Sequence, residues 1–177
     1  MFDSGSGDWV EHRVDWGIDS NAVSATVRYM DGVLYLLART KQVVCVRLDD
    51  MSTGLMELPE PMIKECCVWK VGGRLHYSNS DGQRLRIWAS SDGDEEGGGW
   101  LLKHCVSFDK MEQVKVFGLH PERDVVYLGV KGRLVAYDVC EKRIEEAWEL
   151  EEEKGYLIQV WVFPFSKYLE HCLDSAA

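Results

Sequence analysis

Apolar positions in this chain fall in short runs separated by Gly-, Asp- and Ser-rich turns, the spacing of strands rather than of helices. Val33-Leu34-Tyr35-Leu36, Val44-Cys45-Val46, Leu85-Arg86-Ile87-Trp88-Ala89 and Leu134-Val135-Ala136-Tyr137 are rich in β-branched and aromatic residues and too short for helices. Asp81-Gly82 supplies the glycine that a tight hairpin turn needs.

The runs repeat. Gly32-Val33-Leu34-Tyr35-Leu36, Gly73-Arg74-Leu75-His76-Tyr77 and Asp124-Val125-Val126-Tyr127-Leu128 share a pattern, with 41 residues from Leu34 to Leu75 and 51 from Leu75 to Val126. Each is followed by a second apolar run after a short turn, then by a further strand, and each is preceded by another: residues 23–29, 66–71 and 114–117. Four short strands per unit of about 40–50 residues describe a propeller blade. The longer second interval has a local cause in the acidic, Gly-rich insertion at residues 92–99. The fourth strand of the third unit is the weakest assignment, because Ile144, Ala147 and Trp148 also have helical spacing.

The pattern predicts an all-β chain, a single partial propeller over residues 1–177 with blades at 22–58, 62–106 and 113–150. A stray outer strand is expected at 9–14 and a stray inner strand at 156–165. Propellers close with four or more blades, so the expectation is part of a larger propeller or a truncated product. Open strand edges then invite self-association.

Composition narrows the partners. Hydrophobic residues make up 46% and charged residues 28%, and 30 acidic against 20 basic side chains leave a net charge of -10. No basic patch offsets that charge, so neither nucleic acid nor an anionic membrane surface is expected as partner. The N-terminal residues lack the basic and apolar regions of a signal peptide, and the longest apolar stretch, 157–165, is too short to span a bilayer. A cytoplasmic or nuclear location follows. The six cysteines are then expected reduced, as small buried hydrophobes, with Cys45, Cys105 and Cys140 in apolar runs. None has zinc-ribbon spacing, so no metal and no cofactor are expected.

Gly73-Arg74-Leu75-His76-Tyr77, Leu85-Arg86-Ile87-Trp88, Trp100-Leu101-Leu102-Lys103-His104, Val106-Ser107-Phe108, Leu119-His120-Pro121-Glu122-Arg123 and Leu134-Val135-Ala136-Tyr137-Asp138 occur in that order. Together they resemble the C-terminal associated domain of plant F-box proteins, grass-type ones in particular. Residues 3–9 likewise resemble that family's Ser-Gly-x-Trp strand. The resemblance covers residues 3–165 and implies a kelch-like propeller that collects protein substrates for a cullin-type ubiquitin ligase. The F-box helices that dock onto the ligase adaptor are not in this sequence.

Catalytic signatures are weak. Gly97-Gly98-Gly99 lacks the Lys-Ser/Thr of a phosphate loop, and the run of glutamates at 145–153 reads as a solvated face. The close pairs His104-Cys105 and His171-Cys172 read as surface histidine beside buried cysteine. No catalytic residue is assigned, and a non-enzymatic recognition module is the favoured reading. Two alternatives stand beside it: a fragment of a propeller enzyme of oxidase or glycosidase type, or a degenerate product without function.

Antiparallel order puts the loops after second and fourth strands at one end of the blades, gathering Trp16, Arg39, Lys41, Asp81, Gln83 and Lys131 as candidate partner-binding residues. The acidic insertion falls at the opposite end.

Overall fold

The computed structural model describes residues 2–3, 5–11, 13–63, 65–91, 99–108 and 114–149. It is all-β. Strands β1 (Phe2–Asp3) and β2 (Asp8–Trp9) form a two-stranded ribbon, and a 3-10 turn at Ser20–Ala22 leads into the first large sheet. That sheet contains β3 (Val23–Met30), β4 (Val33–Ala38), β5 (Gln42–Arg47) and β6 (Thr53–Glu57). The second contains β7 (Glu65–Val71), β8 (Arg74–Ser80), β9 (Arg84–Ser90) and β10 (Trp100–Ser107). The third contains β11 (Lys115–Leu119), β12 (Val125–Val130), β13 (Arg133–Asp138) and β14 (Arg143–Glu149). Each is an antiparallel meander in sequence order.

Local chemistry explains the meanders. The hairpins closed by Asp31-Gly32, Gly72-Gly73 and Lys131-Gly132 have positive φ at both central residues, the turn whose twist matches that of the flanking strands. The repeat also appears in backbone hydrogen bonds. Leu58 N–H donates to the Lys41 carbonyl at 2.9 Å in the first sheet, and Phe108 N–H to the Gln83 carbonyl at 2.7 Å in the second. Each bond ties the end of a fourth strand to the turn after the second. At the other end, Leu48 N–H donates to the Gly32 carbonyl and Val139 N–H to the Asp124 carbonyl, at 2.9 and 3.0 Å.

The second sheet lies between the other two, and alternation along its strands sends side chains to opposite neighbours. Val68, Leu75, Tyr77 and Trp88 join Val33, Tyr35, Leu37, Val43, Met56 and Leu58 of the first sheet and its exit. Cys67, Trp69, Leu85 and Ile87 join Leu119, Val126, Leu128, Val135 and Tyr137 of the third. The first strands come closest, β7 touching both β3 and β11, so the sheets fan outward from that line as propeller blades do. Arg28 of β3 stacks 4.5 Å over the Trp69 ring of β7, and its Nε donates to Cys67 Sγ at 3.3 Å. Gly118 of β11 leaves room for that ring, since a Cβ there would lie 3.0 Å from it.

Two sequence expectations meet a different outcome. Residues 9–14 do not form an outer strand: pairing stops at Asp8–Trp9, and the described residues from Val10 to Trp16 belong to no sheet. Their alternation has another use. Val14, Trp16 and Ile18 lie on the outer flank of the first sheet against Leu36, Val44 and Val46, satisfied by packing without ladder hydrogen bonds. Cys105 and Cys140 are exposed, while Cys45 and Cys67 are buried. Cys105 sits on the outermost strand between inward-facing His104 and Val106, and Cys140 lies in the turn beyond β13. The ambiguous segment of the third unit is a strand, β14, paired along β13. The expected inner strand at 156–165 and the acidic insertion at 92–98 lie outside the described residues.

Candidate functional site

Five of the six predicted binding residues fall in turns that follow second strands. Arg39 and Lys41 flank the β4–β5 turn, Asp81 and Gln83 the β8–β9 turn, and Lys131 opens the β12–β13 turn. The first two of these turns are held by local bonds. The Lys41 ammonium pairs with Glu57 at 3.2 Å, and its backbone holds φ at 67°. Asp81 accepts from the backbone N–H groups of Gln83 and Arg84 at 2.9 and 2.7 Å. Those bonds, Arg84 first and then Gln83, hold its carboxyl below the usual value. Trp16 is not with them. It is half-buried beside Thr53, Gly54 and Leu55, where the Asp15 carbonyl accepts from Thr53 Oγ1 at 3.0 Å. Register pairs Thr53 with Val46 and Gly54 with Cys45, toward the end of β5 away from Arg39 and Lys41. The free flank of the first sheet takes up the aromatic anchor.

A second constellation lies at the opposite end, in the seam between the second and third sheets. His104 projects inward from β10, Asp124 immediately precedes β12, and Cys140 follows β13. His104 Nε2 lies 3.3 Å from Asp124 Oδ1, and Cys140 Sγ donates to Asp124 Oδ2 at 3.6 Å. The three donor atoms all lie within 4.8 Å of one another. Lys103 Nζ stands 4.0 Å from the same carboxylate. Burial raises the Asp124 carboxyl, but Lys103, His104 and Cys140 outweigh it and hold the group below its ordinary value. Burial and the neighbouring carboxylate push the Cys140 thiol up.

His76 forms the wall behind this cluster. It lies on β8, only 4% exposed, on the side of the strand that faces the third sheet with Ser78 and Ser80. Its Nδ1 is 3.0 Å from the Arg74 carbonyl, an acceptor only, so Nδ1 carries the proton. Nε2 is therefore a bare lone pair, and it is buried without a hydrogen-bond partner. Desolvation holds the imidazole below its ordinary pKa and keeps it neutral. His76, His104 and Asp124 line an inner void of about 10 Å³, and His76 and Asp124 also border an outer cleft of about 280 Å³ with Lys103 and Arg123. The inner void has room for about one water or one ion.

As an acid-base device the cluster is poorly arranged. Asp124 is hydrogen-bonded to both His104 and Cys140, so the thiol donates to a carboxylate and stays protonated rather than being activated by the imidazole. Sequence spacing missed the group because its members come from β8, β10, the approach to β12 and the exit of β13. The usable signal was His76-Tyr77-Ser78-Asn79-Ser80, a strand in a buried unit that stays polar on the face opposite Leu75 and Tyr77.

No protein-family model and no curated protein matches this chain.

Proposed function

We propose that the chain is a non-enzymatic protein-recognition module, binding its partner through the end of the sheets that carries Arg39, Lys41, Asp81, Gln83 and Lys131. The observation that carries this reading is the closure repeated in two of those turns: the bonds from Leu58 to Lys41 and from Phe108 to Gln83 fix each of the two to the connection that follows the fourth strand. Polar side chains on pre-ordered turns lose little conformational freedom on binding, and Arg is among the residues that dominate interface energetics. The resemblance to the F-box-associated domain supports the finer role, collection of a protein substrate for a cullin-type ubiquitin ligase in the cytoplasm or nucleus, on a kelch-like propeller. Among the described residues no helix is long and apolar enough to cross a membrane.

The test is affinity capture from plant tissue with quantitative mass spectrometry, comparing the parent chain with a variant carrying Arg39→Ala, Lys41→Ala and Lys131→Ala. Recovery of cullin-complex subunits together with a substrate, the substrate falling at least about tenfold with the variant, is the expected result. Chaperones alone, or a substrate signal indifferent to the three substitutions, would overturn it.

A further inference from the structure

We propose that His104, Asp124 and Cys140 form a binding site for one zinc-class divalent ion, with the buried Nε2 of His76 as the fourth donor. The donor chemistry is that of a structural zinc site: imidazole nitrogen, thiolate and carboxylate oxygen, four in number when His76 is included.

For three of the four donors the geometry is close to what the ion requires; His76 Nε2 is not in the group of atoms within 4.8 Å of one another, so binding draws the other three toward it. Bonds of about 2.0–2.3 Å in a tetrahedron put donor atoms roughly 3.3–3.8 Å apart. The His104 to Asp124 and Cys140 to Asp124 separations of 3.3 and 3.6 Å already lie in that range. The third edge, within 4.8 Å, closes by a small side-chain rotation, because Cys140 is exposed and lies in a turn. His76 is the independent indication. Its Nδ1–H is fixed on the Arg74 carbonyl, the second-shell arrangement that orients metal-bound histidines. The atom this leaves bare is buried, without a partner, on the wall of the void that His104 and Asp124 also line. A buried lone pair with no donor is costly, and a metal ion would satisfy it.

On binding, the Cys140 thiol releases its proton to solvent and the sulfur takes up the metal, while neutral His104 carries its remaining proton on Nδ1. Lys103 swings away from Asp124 into the outer cleft. The bound ion joins β10 of the second sheet to both loops at that end of the third, adding to the backbone bond from Gly72 N–H to the Pro121 carbonyl at 2.9 Å.

The full-length reduced chain titrated with Co(II), and then with Zn(II) against a competing chelator, tests the site. The expected results are one ion per chain, a sulfur-to-cobalt charge-transfer band that disappears in Cys140→Ser but persists in Cys105→Ser, and zinc affinity at least about tenfold weaker in Asp124→Asn. His76 is too buried for a variant to be trusted alone. Nitrogen-15 spectra of the parent chain are therefore recorded with and without zinc, and two of the five histidines should show metal-bound Nε2 shifts. A charge-transfer band that survives Cys140→Ser, the absence of saturable binding, or fewer than two shifted histidines would overturn the proposal.

Discussion

The two seams flanking the second sheet are built from the same strands and differ in what they do with polar groups. On the side of the first sheet, the fully buried Asn79 is saturated: it donates to Glu60 at 2.6 Å and to the Pro61 carbonyl at 2.9 Å, and accepts from Ile63 N–H at 3.0 Å. Arg86 meets the same Glu60 at 2.9 Å, and Trp100 Nε1 donates to the Glu57 carbonyl at 2.7 Å. These bonds pin the connection from β6 to β7 to the sheet it enters. Two groups there are unpartnered, Arg86 Nε and the Tyr77 hydroxyl, the latter on a ring held between Trp88 and Trp100 at centroid distances of 5.6 and 6.1 Å. On the side of the third sheet, the apolar seam ends in a polar void where His76 presents a bare nitrogen. An unpartnered hydroxyl can be deleted without loss. A lone pair oriented by its own ring partner and facing two further ligand types is a different object, and the contrast separates packing from a built site.

The largest effect should come from breaking the saturated seam. Asn79→Ala removes a fully buried side chain together with its bonds to Ile63 N–H, the Pro61 carbonyl and Glu60, which keeps only Arg86; breaking such a network is among the costlier single changes. A loss of about 3 kcal/mol in denaturant unfolding is expected, and a loss below about 1 kcal/mol would show that the β6–β7 connection is not held by this side chain.

The smallest effect should come from Tyr77→Phe, which removes a hydroxyl that bonds to nothing. Stability at neutral pH should change by less than about 1 kcal/mol in either direction. Its signature is instead in alkali. Burial raises the pKa of both Tyr77 and Cys67 above their ordinary values of 10.0 and 9.0. The unfolded chain then gives up these protons from about pH 9 upward while the folded chain keeps them, so stability falls as pH rises. Tyr77→Phe should flatten that fall in unfolding measurements across pH 8–11. An unchanged slope would show that Tyr77 ionises as readily folded as unfolded.

The blades were legible in sequence because their information is local. Val33 to Leu36 and Val44 to Val46 alternate with turns such as Asp31-Gly32, and burial follows the alternation. The β14 segment was ambiguous because Ile144, Ala147 and Trp148 fit both periods, and tertiary context decided it. Pairing with β13 and the ion pairs of Glu149 with Arg133 at 3.1 Å and Glu145 with Arg123 at 2.5 Å favour the strand. Trp16 was misplaced because its period-two neighbourhood looks like a sheet strand, whereas the free flank of the first sheet offers it apolar cover but no ladder. The cluster of His76, His104, Asp124 and Cys140 was invisible for a different reason. Its members are far apart in sequence and meet only when two sheets stack, which no spacing rule reports.

The contrast between the two seams is tested most directly by amide hydrogen exchange of the full-length chain with and without zinc. Added protection should concentrate where the site is anchored, at the amides of Val125 and Val139, whose bonds run to the Arg123 and Asp124 carbonyls, and around His104 on β10. The amides of Leu58 and Ile63, in the saturated seam, should exchange at the same rate in both conditions. Protection spread evenly over both seams, or confined to Leu58 and Ile63, would contradict the claim that only the seam between the second and third sheets is a ligand site.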